Sequence, residues 1–236
     1  MDINKKLSDI WRKYQLSELP KTILERGYNY SINENCRDIL VTGMNPSFRK
    51  GDTEGNCCYD FNLIMQSSKY DTYWTSLKKM LCDENINLLN KTAYLDLFYY
   101  REKKQLILTK EILPNALGLS FIYDQLNLTQ KIIENIIKPK VIIVKNKESG
   151  VYWGKLANKS IFWMGYKLYF LENTIYGELY RINGIIETKE RICPEITNSN
   201  LEDALILFSV HINHFTPKEK RPTSKFINGL LERVNK

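Results

Sequence analysis

Asp38-Ile-Leu-Val-Thr-Gly-Met-Asn-Pro-Ser47 decides how this chain is read. A short, β-branched apolar run stops at Gly43, and Asn45-Pro46-Ser47 follows at once. Such a run predicts a buried strand over 38–43. Gly43 lets the backbone turn, and Pro46 fixes φ and removes a donor, which stiffens the loop. Asn45 is thereby held at the carboxyl end of a strand, where open α/β sheets place their ligands. An amide there can orient a water or read a base edge. The same residues also suit a tight turn capped by Asn45.

Outward from this strand the pattern alternates. Leu7, Ile10, Trp11, Leu19, Ile23 and Leu24 predict one or two helices within 5–26. A long loop over 48–70 contains Gly51, Gly55 and Cys57-Cys58-Tyr59-Asp60-Phe61. Tyr73-Trp74, Leu77 and Leu81 share one helical face and predict a helix of about 72–84. Thr92–Tyr100 is a run of strand formers, and Val141-Ile-Ile-Val144 has the unbroken apolar character of a strand covered on both faces. Between them, 121–137 predicts an amphipathic helix ended by Pro139. A helix over 148–157, a hairpin-rich insertion over 161–187, a fourth core strand over 204–210 and a helix over 223–234 complete the pass. Strands separated by helices predict an α/β protein, a three-layer α/β/α fold with a central, mainly parallel four-stranded sheet. The expected organisation is a single domain spanning 1–236, with an N-terminal helical segment over 1–36.

Composition sets bounds on what such a domain could be. At 236 residues it can bury a substantial core. No apolar run approaches the roughly 20 residues needed to span a bilayer, and Met-Asp-Ile-Asn-Lys-Lys lacks the apolar centre of a secretory signal. Five cysteines, with no Cys-x-x-Cys pair, argue against a disulfide framework and against a four-cysteine metal or cluster site. The expectation is therefore a cytoplasmic protein with reduced thiols, no membrane partner and no cofactor. A net charge of +7 makes a polyanionic partner plausible.

Placement of the charge is more telling than its sum. In a parallel sheet the carboxyl ends of the strands share one rim. The windows 48–52, 101–104, 145–147 and 218–221 follow the expected strands, and ten of their sixteen residues are Lys or Arg, against 34 in 236 for the chain. Phe48, Tyr59, Phe61, Tyr99, Tyr100 and Phe215 lie among these charges. Basic residues for phosphates plus rings for base stacking point to a nucleic acid. The two histidines, His211 and His214, both follow the fourth strand. At i, i+3 they could share a metal, fill a turn, or place an imidazole across the rim from Asn45.

Taken in order, strand, Gly43-Met44-Asn45-Pro46, loop, helix, strand, helix, strand and strand–His211 resemble the uracil-DNA glycosylase superfamily. Gly43-Met44-Asn45-Pro46 looks like the water-positioning motif of its single-strand-selective monofunctional and mismatch-specific branches. Tyr94–Tyr100 resembles the second-strand motif, Phe121–Val144 the passage into the third strand, and Phe208-Ser209-Val210-His211 the approach to the family's His-Pro-Ser motif. The resemblance implies a monofunctional DNA glycosylase that flips a damaged, uracil-like base out of DNA and hydrolyses its N-glycosyl bond. It implies that Asn45 holds the attacking water and that His211 stabilises charge on the departing base. Gly43, Met44, Pro46, Ser47, Tyr59, Phe61, Asp96 and Asn213 would contact the base. Arg49, Lys50, Arg101, Lys147, Lys218, Lys220 and Arg221 would bind the DNA backbone, and a side chain of the 211–221 loop would wedge into the duplex. A monomer is expected.

Three departures stand out. Asp96 replaces the base-reading Asn common on the second strand, and an ionised carboxylate accepts from uracil N3–H but cannot donate to O4. His211 is followed by Ile212-Asn213 rather than Pro-Ser, and the cluster-binding cysteines of the iron–sulfur branch are missing. Two alternatives from other classes stay open: a nucleic-acid-binding protein on the same fold without catalysis, and a nucleotide- or phosphate-handling α/β enzyme. The second lacks any Gly-x-Gly-x-x-Gly or Gly-x-x-x-x-Gly-Lys-Ser/Thr loop.

Overall fold

Three strand-forming runs of the sequence, 39–43, 92–96 and 141–144, lie side by side in the computed structural model, which describes residues 1–67, 72–212 and 215–235. In chain order the elements are α1 (Ile3–Tyr14), α2 (Lys21–Glu25), β1 (Asn29–Ser31), β2 (Ile39–Gly43), β3 (Cys57–Tyr59), α3 (Phe61–Gln66), α4 (Thr72–Leu81) and β4 (Thr92–Asp96). Then follow α5 (Ala116–Ile132), β5 (Val141–Val144), α6 (Gly150–Trp153), β6 (Tyr166–Thr174), β7 (Gly177–Ile185), β8 (Leu205–Ser209) and α7 (Ser224–Val234). The fold is mixed α/β, with a mainly parallel central sheet and flanking helices.

The central sheet has six strands, in the order β4-β2-β5-β8-β7-β6, rather than the four expected. The four core strands are mutually parallel, with Gly43 opposite Asp96 and Thr42 opposite Val144. The extra pair is the expected 161–187 hairpin. It pairs antiparallel with β8 through β7 and extends the same sheet. A separate two-stranded parallel sheet joins β1 to β3, so the 48–70 loop is partly regular.

Alternation along the strands sends side chains to opposite faces. Leu40, Leu95, Ile142 and Ile206 pack with Leu7 and Trp11 of α1 and Phe121 and Leu126 of α5. Val41, Tyr94, Ile143 and Leu207 pack with Phe61 of α3, Leu77 of α4 and Leu230 of α7. Every residue of β2, β4, β5 and β8 is buried, as strands covered on both faces must be. Helix caps follow local chemistry: Asp60, Asn115 and Thr223 each accept from the first-turn amides of α3, α5 and α7.

Some boundaries differ from expectation. The second core strand ends at Asp96, beyond which 97–102 leaves the ladder and pairs with the loop after β2, Leu97 N to Gly43 O at 3.1 Å and Glu102 N to Pro46 O at 2.9 Å. The helix expected over 148–157 is only the single turn α6, stopped by Gly154 at φ +105°. Among the described residues no helix is long and apolar enough to cross a membrane.

The topology fixes where a ligand can enter. The connection leaving β2 runs to β4 on one side, and that leaving β5 runs through the hairpin to β8 on the other. Adjacent strands whose connections diverge leave a crevice between their carboxyl ends. Here that crevice opens between Gly43 and Val144.

Candidate functional site

A cavity of about 640 Å³ occupies this crevice, within the range of about 300–1,000 Å³ typical of small-molecule sites. Gly43, Met44, Asn45, Pro46 and Ser47 from the β2 loop line it, with Tyr59, Asp96, Arg49 and His211. The residues singled out at the ends of three different strands therefore meet in one place. Asn213 and His214 lie outside the described residues, as does 68–71 of the long loop.

Asn45 is fixed through its nitrogen. Nδ2 donates to the carbonyls of Glu102 at 2.7 Å and Pro46 at 3.0 Å, and the Pro46 carbonyl also accepts from Glu102 N in the loop after β4. Its Oδ1 accepts from no described residue. A side chain anchored in this way presents one acceptor at a defined position, which suits holding a water by its hydrogen. His211 is exposed at the end of β8, and Ile212 N donates to Lys145 O at 3.3 Å, tying this segment to β5. Partial burial and the charge of Lys145 push the imidazole below its ordinary value.

The floor of the cavity is a hydrogen-bonded chain. Lys145 Nζ donates to Tyr73 Oη at 2.7 Å, the Tyr73 and Tyr94 hydroxyls are 2.5 Å apart, and Tyr94 Oη donates to Asp96 Oδ1 at 3.0 Å. Lys145 is 2% exposed and Asp96 8%, so neither charge is hydrated in full. Burial pushes Asp96 up to about 6, against the pull of Lys145 and the Tyr94 hydrogen bond. Burial likewise pushes Lys145 down to about 8, against the attraction of Asp96. The ammonium also sits 4.2 Å from the Tyr73 ring centre and 5.5 Å from that of Tyr94, where ring faces attract a cation. Tyr59 and Trp74, 5.5 Å apart, complete an aromatic wall beside this chain.

Several expectations need correction. Phe61 is 1% exposed and stacks behind Tyr94 at 5.7 Å, so it supports the wall and cannot touch a ligand. Arg101 is 5% exposed and donates to the carbonyls of Arg26, Thr53 and Gly55, which makes it a clamp on the β1–β3 region rather than a backbone contact. Phe48 lies between the Arg26 and Arg101 guanidiniums, each 4.8 Å from its ring centre. Nor is the cavity uniformly cationic. Its walls carry Asp52, Asp96, Glu102 and Glu148 against Arg49, Lys103 and Lys145. Arginines from outside its walls offset two of those carboxylates, Arg26 pairing with Glu102 and Arg101 lying 3.6 Å from Asp52.

The other basic candidates stay clear of the cavity walls. Lys50, Lys147, Lys218 and Lys220 are exposed, and Arg221 is half-buried with Nε donating to Thr216 O at 2.7 Å. Phe215, on the same loop, is 81% exposed. Among the described residues no cluster of His, Cys, Asp and Glu is placed to hold a metal ion.

Tyr73, Trp74, Tyr94 and Lys145 were not singled out from the sequence as site residues. A signal existed for two of them: Tyr94 lies two residues before Asp96 and so shares its strand face, and Lys145 is the first residue past the apolar run of β5. Comparison of the chain with family models, curated proteins and solved structures gives no match.

Gly43 is required by this arrangement. A Cβ there would lie 2.0 Å from Asp96 Oδ1 and 2.6 Å from Tyr94 Oη, so the carboxyl and the phenol approach a bare backbone. Gly43→Ala is expected to lower stability in urea denaturation by about 1–3 kcal/mol, the usual cost of overpacking. Gly229→Ala, in α7 with nothing within 4 Å, is expected instead to stabilise, by roughly 0.4–1 kcal/mol. Equal effects at the two positions would contradict the packing described for Gly43.

Proposed function

We propose that this chain is a DNA glycosylase that excises a uracil-like base by hydrolysis, built as a three-layer α/β/α domain of the uracil-DNA glycosylase type. The observation that carries the reading is that Asn45 and His211, the water-holding and charge-stabilising residues of the resemblance, open onto one cavity at the carboxyl edge of the parallel strands. In this reading the target base enters between Tyr59 and the β2 loop. Asn45 Oδ1 orients the water, and the His211 imidazole donates toward the oxygen on which charge grows as the glycosidic bond breaks. The bond to the base breaks ahead of attack, so a weakly basic amide suffices. Lys50, Lys147, Lys218 and Lys220 supply phosphate contacts, and Phe215 is the side chain of the 211–221 loop that would enter the duplex.

The test is release of the base from oligonucleotides carrying uracil, hypoxanthine, xanthine or a mismatch, read as strand breakage after alkali. Asn45→Ala and His211→Ala are each expected to slow release by about 100-fold or more, the scale of a lost general-acid or oxyanion contact. No release from any of these substrates overturns the reading. Tight, salt-sensitive DNA binding without release would favour the second reading, a binding protein on the same fold, which the carboxyl at position 96 also favours.

Asp96 gives the proposal a pH dependence of definite sign. Protonated, it offers one donor and one acceptor, the complement of a uracil N3–H and O4 edge; ionised, it only accepts. Uracil release is therefore expected to fall as pH rises through about 6. Asp96→Asn, which offers the donor and acceptor at every pH, is expected to remove that step. A wild-type profile flat between pH 5 and 8 would contradict this role for Asp96.

A further inference from the structure

We propose that Lys145 is a Schiff-base-forming amine whose substrate is an aldehyde, the ring-opened sugar of an abasic site in DNA, which gives the protein a strand-cleaving activity beyond base removal. The inference deepens the glycosylase reading, because it takes DNA as the ligand of the same cavity. Its geometric ground is separate from Asn45 and His211. Lys145 projects from the end of β5 into the cavity wall, 2% exposed, with Tyr73 as its only hydrogen-bond acceptor among the described residues. That acceptor is the first link of the chain through Tyr94 to Asp96. No carboxylate lies within 4 Å of Lys145 Nζ among the described residues, so its partners are one phenol and two ring faces.

An amine so placed can lose its proton more readily than one in water, because burial disfavours the ammonium. The chemistry balances without a further reagent. The nitrogen lone pair of neutral Lys145 adds to the aldehyde carbon, both amine protons leave with the carbonyl oxygen as water, and an imine remains. Loss of the neighbouring carbon-bound proton to water then breaks the carbon–oxygen bond to the 3′ phosphate, which departs with the bonding electrons. Hydrolysis of the imine returns the amine and leaves an unsaturated aldehyde on the other strand end. The titratable groups around Lys145 are Tyr73 from α4, Tyr94 and Asp96 from β4, and His211 after β8, with Glu148 and Arg49 elsewhere on the wall.

The experiment uses the full-length protein and an oligonucleotide with a preformed abasic site, so it does not depend on base release. Cyanoborohydride is added to reduce any imine, and peptide mapping by mass spectrometry locates the adduct. The expected result is a covalent complex at Lys145, reduced at least about tenfold in Lys145→Arg, whose guanidinium does not deprotonate. Trapping should rise with pH through about 8, where the amine becomes neutral. Its midpoint should move to lower pH in Asp96→Asn, because the carboxylate that favours the ammonium is gone, and a merely structural lysine would give no such shift. No complex with the wild type, or a complex mapped to another amine with Lys145 unmodified, overturns the inference. Mapping on the wild type decides this even if Lys145→Arg fails to fold. A Lys145 adduct in a protein that releases no base from any damaged oligonucleotide would support the inference and overturn the excision step.

Discussion

A buried ammonium and a buried carboxyl, joined through two phenols, form the constraint around which the rest of this molecule is arranged. Lys145 and Asp96 stand at the ends of β5 and β4, the two strands that flank β2, so the chain connecting them passes over the end of β2. Only a residue without a side chain leaves space for it, and Gly43 is in register with Asp96. Burying two opposite charges costs several kcal/mol per ion when they are poorly paired. Hydrogen bonds and ring faces offset that cost here, at the one edge of the sheet where diverging connections already leave a crevice.

The remaining polar groups divide between building the pocket and facing it. Asn45 builds with its nitrogen and also lines the cavity. Arg26 and Arg101 grip Phe48, pair with carboxylates and hold the β1–β3 region, so two of the strongest cations near the site are consumed internally. The lysines outside the cavity, Lys50, Lys147, Lys218 and Lys220, face solvent, while the cavity walls keep a near balance of charge. Such a division suits a ligand whose backbone is anionic and whose recognised part is neutral.

Much of the scaffold was legible in the sequence because its signals are local. The apolar runs at 39–41, 141–144 and 204–208 are unbroken, which only a doubly covered strand requires, and Pro139 and the capping residues mark helix ends. What failed was non-local. Whether the 166–185 hairpin stands apart or extends the sheet is decided by the pairing of β7 with β8, which no periodicity reveals. Arg101 and Phe61 were misassigned for the same reason: a basic or aromatic residue at a strand end reads as exposed until its carbonyl acceptors or its stacking partner are in place. Tyr73 and Lys145 were missed because their meaning lies in a contact across 72 positions of sequence.

The most direct measurement is the titration of Lys145 itself, by the Nζ resonance of protein labelled with 15N-lysine and assigned through a Lys145 variant. A midpoint near 8 is expected of an amine buried beside Tyr73, where burial lowers the value against the attraction of Asp96. A Lys145 that titrates above 10, the ordinary range for a hydrated amine, would contradict the burial assigned to it. Both the base-reading role of Asp96 and the chemistry assigned to the amine would then lose their physical basis.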